Sequence, residues 1–218
     1  MTVREGLHYT ETPWFRWGVF LMGLVVMSFG IALMITAGLG SAPWDVLHIG
    51  LTEHFGLTIG TWTVIMGFLL LLFSVILTKE WPRLGAYLNM LLVGGFVDLF
   101  LFWMETPYLL VAKLIMLLVG ILIMGFGIGL YISPQCGAGP RDSVMLALSL
   151  KTGMSVAKVR ILMEVCVLFT GWLLGGPVFI GTIIFSLLIG HITGMSLRFC
   201  QHWLDRRVER GMQVENIN

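Results

Sequence analysis

The chain is 218 residues long, 57% hydrophobic and only 11% charged, with a formal net charge of +1 and a mean hydropathy of +0.93. A water-soluble domain carries about 25% charged residues, so this chain cannot clothe itself for water and most of its surface must face lipid. A charge balance this close to zero leaves no electrostatic footprint for nucleic acid, and no hydrophilic stretch is long enough to fold as a separate soluble domain.

A membrane span needs about 20 predominantly apolar residues. The first apolar run, 17–37, follows a short polar segment. It is longer than the apolar region of a secretory signal and is followed by several equals, so it is predicted as a retained first helix. Next comes 43–55, helix-compatible but too short and too polar to span. It opens with Pro43, a residue tolerated at the first helical position, after the flexible stretch Gly38-Leu39-Gly40-Ser41-Ala42. Runs 59–78 and 84–104 complete a first unit, 1–106. The second unit, 107–218, repeats the order: a long run 109–132, a short helix 140–151 opening with Pro140 after Gly137-Ala138-Gly139, then runs 156–174 and 179–199 and a polar tail. Cys136, Cys166 and Cys200 have neither metal-ligand spacing nor an even-numbered framework, and are predicted to be free thiols.

Lys and Arg set the orientation of such a chain. With six spans and a cytoplasmic N-terminus, the inner segments hold Arg4, Arg16, Lys79, Arg83, Arg141, Lys151, Lys158, Arg160, Arg198, Arg206, Arg207 and Arg210. Lys113 alone falls on the outer side, where its long stem can carry the charge outward. Both termini are therefore expected on the cytoplasmic side of a bacterial inner membrane.

The two units are copies of one another. Pro43 and Pro140 stand 97 residues apart, and at that displacement Phe29-Gly30-Ile31 falls on Phe126-Gly127-Ile128, Gly40 on Gly137, and Asp45 on Asp142. With one residue dropped, Gly85, Leu91, Leu92 and Gly94 meet Gly181, Leu187, Leu188 and Gly190. Shared Leu and Ile columns arise by chance in apolar sequence; shared Gly, Pro and Asp columns do not. An odd number of spans per unit means that the second copy is inserted upside down. Inverted repeats are a recurring plan of transporters, with the substrate site near the midplane where the copies meet. The expected fold is therefore all-α: six transmembrane helices as two inverted three-helix repeats, each with a proline-initiated half-helix. If the glycine loops fold back into the bundle, both half-helices point their N-termini at one central region. Exposed N–H groups and partial positive charge suit those termini to an anion or an electron-rich polar group.

The pair GLGSAPWD and GAGPRD, so spaced in a chain of this length, resembles the YczE/YitT-type family of bacterial membrane proteins, closest to its YczE branch. The resemblance implies a bacterial polytopic membrane protein and transport or export of a small molecule. It supplies no established catalytic or binding residues.

Candidate site residues follow from the repeat and from charge within apolar runs. Pro43, Asp45, Pro140 and Asp142 form the shared starts of the half-helices. Each Asp sits where a carboxylate caps a helix, and each could equally serve as a substrate or proton ligand. Arg141 falls on Trp44, so the copies diverge there, and a planar guanidinium suits a carboxylate or phosphate. Arg160 and Glu164 are four apart on one face of the fifth span; a carboxylate at that depth is a functional candidate, or half of an internal ion pair. His191 in the sixth span and Asp98 and Asn89 in the third are further polar groups; His191 with Asp98 would suit a proton relay. Ser28 with Ala32, and Gly125 with Gly129, are small pairs that let helices approach closely; the expected contact is between the first and fourth spans. His48, Glu53 and His54 lack a repeat counterpart and are not expected to bind metal. No P-loop, His-Glu-x-x-His or Gly-x-Ser-x-Gly motif is present, so neither enzymatic chemistry nor a cofactor is expected. The function anticipated is transport of a small polar or anionic molecule; a passive channel or an accessory scaffold are the other classes. The bilayer and the small molecule are the partners, and a homo-oligomer is compatible with the chain.

Overall fold

The computed structural model describes residues 13–137 and 139–215. Arg4 and Ala138 lie outside the described residues. Among those described, the regular structure is helical throughout: α1 (Pro13–Ala37), α2 (Pro43–Phe55), α3 (Ile59–Thr78), α4 (Leu84–Trp103), α5 (Leu110–Ile132), α6 (Pro140–Thr152), α7 (Val156–Leu173) and α8 (Ile180–Glu215). Five of these, α1, α3, α4, α5 and α8, are long and apolar enough to cross a membrane. The eighteen residues of α7 carry Lys158, Arg160 and Glu164, which sets it apart from the five.

The short helices begin as the sequence dictates. Pro43 and Pro140 occupy the first turns of α2 and α6, where a missing N–H costs no intrahelical bond. The loops before them need glycine. Gly40 has φ 94° and Gly137 φ 154°, both in the region that side-chain-bearing residues avoid. They also leave no room for a Cβ: one on Gly40 would lie 2.8 Å from Thr182 Oγ1, and one on Gly137 would lie 3.1 Å from Gly85 Cα. The Gly181 amide donates to the Leu39 carbonyl at 2.7 Å, fastening the first loop to the start of α8.

The core is a crossing of α1 and α5, with α4 packed on α1 and α8 on α5. Glycines make the crossing close. A Cβ on Gly30 would meet the Met124 backbone and lie 2.7 Å from the Gly120 carbonyl; one on Gly127 would lie 2.6 Å from Met27 Cα. Phe20, Leu24, Met34, Leu117 and Ile121 are fully buried around it. The short helices pack on partners distant in sequence, α2 on α7 and α6 on α3.

Two expectations are corrected. The small pair Gly125 and Gly129 faces α8, not α1: their Cβ positions run into Ile192 and into Ser196 and Leu197. Gly30, Gly120 and Gly127 make the α1–α5 crossing instead. The polar stretch after residue 200 is not a tail, because α8 continues to Glu215. Leu204 is buried there, Trp203 packs against Phe15 with ring centroids 6.0 Å apart, and the Arg207 guanidinium lies over both rings. Apolar residues at helical spacing carry the helix past the last apolar run. Cys136, Cys166 and Cys200 are free thiols.

Candidate functional site

The N-termini of α2 and α6 converge. The Arg141 guanidinium lies over the Trp44 ring, 4.8 Å from its centroid. These residues occupy the same column of the two repeats, so the point where the copies diverge is also where they touch. Such a stack holds a guanidinium by its face and leaves its in-plane N–H donors free. Among the described residues the salt-bridge criterion is met by one pair, Arg160 with Glu164; Arg141 therefore has no carboxylate in direct contact.

Around this junction is a cavity of 170 Å³ to which all eight helices contribute. For scale, a cavity of about 150 Å³ accommodates a benzene-sized solute. Its lining comes in pairs displaced by 97 residues: Met27 with Met124, Ile31 with Ile128, Pro43 with Pro140, Met66 with Met163. The apolar wall is shared by the copies, whereas the polar groups break the pairing. Trp44 is matched by Arg141, Met145 by His48, Thr63 by Arg160, Gly67 by Glu164, and Phe185 by Asn89 at the 96-residue displacement of α4 and α8.

Several cavity groups are left without partners. His48 is 2% exposed and its Nε2 has no hydrogen-bond partner. The Thr63 hydroxyl sits 3.1 Å from His48 Nδ1 and 2.9 Å from the Ile59 carbonyl. Its single hydrogen can serve only one of these two at a time. Asn89 Nδ2 and Thr193 Oγ1 are also buried and unpartnered. Buried polar groups are nearly always hydrogen-bonded. All three residues stand in the wall of the cavity, although the unpartnered atoms themselves are buried within that wall.

The two Asp residues behave alike. Each is the third residue of its helix, two after the proline, where a carboxylate offsets the helix dipole. Asp142 also accepts from the Tyr131 hydroxyl at 3.2 Å and lines the cavity, while Asp45 is buried behind Trp44 with Oδ2 unpartnered. Arg160 Nε donates to Glu164 Oε1 at 3.0 Å, and both residues are partly exposed in the cavity wall.

The structure thus brings Pro43, Pro140, Arg141, Asp142, Arg160 and Glu164 to one cavity, with Asp45 directly behind. His191 is elsewhere: it is exposed on α8, with Nδ1 3.4 Å from the Leu187 carbonyl. Asp98 accepts from the Thr58 hydroxyl at 2.5 Å and the Gly60 amide at 2.7 Å, holding α4 to the start of α3. Neither His191 nor Asp98 lines the cavity. Sequence reasoning passed over His48 and gave Asn89 no role. The signal was available, since each is a polar residue whose repeat partner is apolar.

Apolar helices, five of them long enough to span a bilayer, arranged around a cavity with polar groups in its wall define a polytopic helical membrane protein. Comparison with known sequences gives the particular family. Residues 14–198 match the model of a family of unknown function (DUF6198), and the chain belongs to that family, which includes the YczE-type proteins. The chain is 42% identical to the uncharacterized membrane protein YczE of Bacillus subtilis, over 84% of each chain. It is 33% identical to an uncharacterized protein of Haemophilus influenzae, covering 80% of this chain and 79% of the relative. It is also 33% identical to the uncharacterized protein YyaS of Bacillus subtilis, covering 78% and 86%. No solved structure matches the chain.

Proposed function

We propose that this protein is a transporter, not an enzyme, that moves a small polar or anionic molecule across the bacterial inner membrane, with its site in the cavity where α2 and α6 meet. The observation that carries this reading is the polar end of that cavity: an Arg141 guanidinium without a carboxylate in contact, in a wall that also carries His48 and Asn89. Its in-plane N–H groups suit a planar or tetrahedral oxyanion.

The proposed frame is six spans in two inverted three-span repeats, with α7 as the sixth span and both termini cytoplasmic. Reciprocal contacts support it. Gly30 meets Met124 and Gly127 meets Met27; α2 packs on α7 and α6 on α3. Exchange of partners between equivalent positions is the signature of a two-fold axis. In this frame, α2 and α6 are re-entrant half-helices on opposite faces of the bilayer. Their irregular approaches are satisfied by the surrounding protein, as non-helical backbone at that depth requires.

The test is a thermal-shift screen of purified protein against anionic and polar metabolites, repeated with Arg141→Ala. A ligand of the cavity raises the melting temperature of the wild type in proportion to the logarithm of its concentration and leaves Arg141→Ala unmoved. Uptake of that ligand into proteoliposomes then separates a transporter from a scaffold. Ligands that stabilise both proteins equally would refute the site, and binding without uptake would refute transport.

A further inference from the structure

The cavity wall is closed in the first repeat and open in the second. In the first, α4 packs on α3 through one face. Met90 meets Gly67, Gly94 meets Gly60, and Asp98 binds Thr58 and Gly60. The corresponding face of α8 is Ser186, Gly190 and Gly194, and all three are exposed. A Cβ on Gly190 or Gly194 would meet nothing within 4 Å. No comparable packing joins α7 to α8 among the described residues. The sequence explains the difference. Where α4 carries the clasping Asp98, α8 carries Gly194; where α3 offers Gly60 and Gly67 for close approach, α7 offers Ala157 and Glu164.

The seam leads into the cavity. On one side of it Arg160, Met163 and Glu164 of α7 line the cavity, and on the other Phe185, Ile189 and Thr193 of α8. Thr193 and Gly194 are neighbours, one lining the cavity and the other exposed. The bare glycine face is set in an apolar exterior of Ile161, Val165, Leu187 and Met195, which is the surface that meets lipid. The cavity has polar groups at Arg141, Asp142, His48 and Asn89, the Arg160–Glu164 ion pair on its α7 side, and an otherwise largely apolar wall rich in methionine. Unbranched, polarizable methionine side chains accommodate apolar guests of variable shape.

From the open seam, the methionine wall and the Arg141 guanidinium, we infer that the ligand is an amphipathic anion admitted sideways from the bilayer between α7 and α8. Its acidic head lies at Arg141. Its apolar chain passes between Met163 and Ile189 and leaves through the seam over Gly190. This inference rests on the cavity being the substrate site and narrows the substrate from small polar anions to those bearing an apolar chain.

The test uses the full chain in lipid nanodiscs and two photoreactive probes, dodecanoate and dodecyl phosphate, each with a diazirine at the chain end. The two heads distinguish a carboxylate from a phosphate as the preferred anion. Gly190→Leu fills the seam, and because a side chain there meets open space the fold tolerates it. Gly95→Leu makes the same change on an exposed, open position of α4. The expected result is labelling of α7 and α8 peptides that is lost in Gly190→Leu and in Arg141→Gln and kept in Gly95→Leu. Labelling indifferent to both Gly190→Leu and Arg141→Gln would be ordinary lipid contact and would overturn the inference. If acetate or inorganic phosphate stabilises wild type and Gly190→Leu alike while neither long probe labels, the cavity site stands and the sideways route falls. If Gly190→Leu instead converts a dimer to a monomer and leaves probe binding unchanged, the seam is an interface between copies and the inference is wrong.

Discussion

Replacing Asp98 tests the clasp that closes α4 onto α3. Its carboxylate accepts from the Thr58 hydroxyl at 2.5 Å and from the Gly60 amide at 2.7 Å. Gly60 lies in the first turn of α3, so Asp98 supplies from a neighbouring helix the anion that an N-terminus favours. A hydrogen bond to a charged group contributes about 1.5–3 kcal/mol when sheltered. Asp98 is half-buried and one of the two contacts is exposed, so we discount each bond to about 1 kcal/mol, below that range, and take about 2 kcal/mol for the pair. At about 2–4 °C per kcal/mol for a chain of this size, Asp98→Ala should melt roughly 4–8 °C below wild type. Asp98→Asn keeps an acceptor but loses the charge, and should fall about halfway. Gly194→Ala, at the repeat-equivalent position where nothing is clasped, should not melt below wild type. The assay is thermal unfolding in detergent micelles, followed by tryptophan fluorescence. A shift of less than about 1 °C for Asp98→Ala would refute the reasoning, because it would mean that water replaces both bonds without loss.

Gly30→Val forces branched carbons into the Met124 backbone and the Gly120 carbonyl; overpacking of this kind costs about 1–3 kcal/mol or more, and the yield of monodisperse protein in gel filtration should drop sharply. Gly95→Ala, in open space on α4, should be neutral or stabilising by up to about 1 kcal/mol in the same melting assay. Removing one member of the Arg160–Glu164 pair should impair accumulation in the membrane, since an uncompensated charge in a span costs about 2.5–3.5 kcal/mol on the insertion scale. Arg160→Met with Glu164→Leu together should restore it, as quantified by blotting of membrane fractions. A membrane-impermeant maleimide should label Cys136, in the partly exposed turn after α5, in inside-out vesicles and not in right-side-out ones; the reverse would invert the proposed topology.

Much of the helix plan was legible before any coordinates. Proline after a glycine-rich stretch marked the starts of α2 and α6, because only the first turn of a helix tolerates a residue without an N–H. The repeat displacement pairs Pro43 with Pro140 and Trp44 with Arg141, and all four line one cavity. Other features were not legible, for identifiable reasons. Small-xxx-small spacing says that a helix is approached closely but not by which neighbour, so Gly125 and Gly129 were assigned to α1 when they face α8. His48 was weighed only as a metal ligand, and its place beside Thr63 depends on α3 folding back along α2. The end of α8 was hidden because lipid-span reasoning stops where charge begins, whereas Cys200 and Leu204 continue the buried face beyond it.

The charged α7 has a consequence for how the chain is made. Five helices announce themselves to the insertion machinery by apolarity alone, and five is an odd number. In the proposed six-span frame, skipping α7 would thread α8 in the opposite sense and leave the C-terminal helix on the other side from the one proposed. The hydrogen-bonded Arg160–Glu164 pair presents α7 with one net charge from Lys158 instead of three separate ones, and Lys158 lies within its first turn, where it can reach the headgroups. In that six-span frame, the last helix takes its orientation from the insertion of α7, and the Arg160–Glu164 pair one helical turn apart lowers the cost of that insertion.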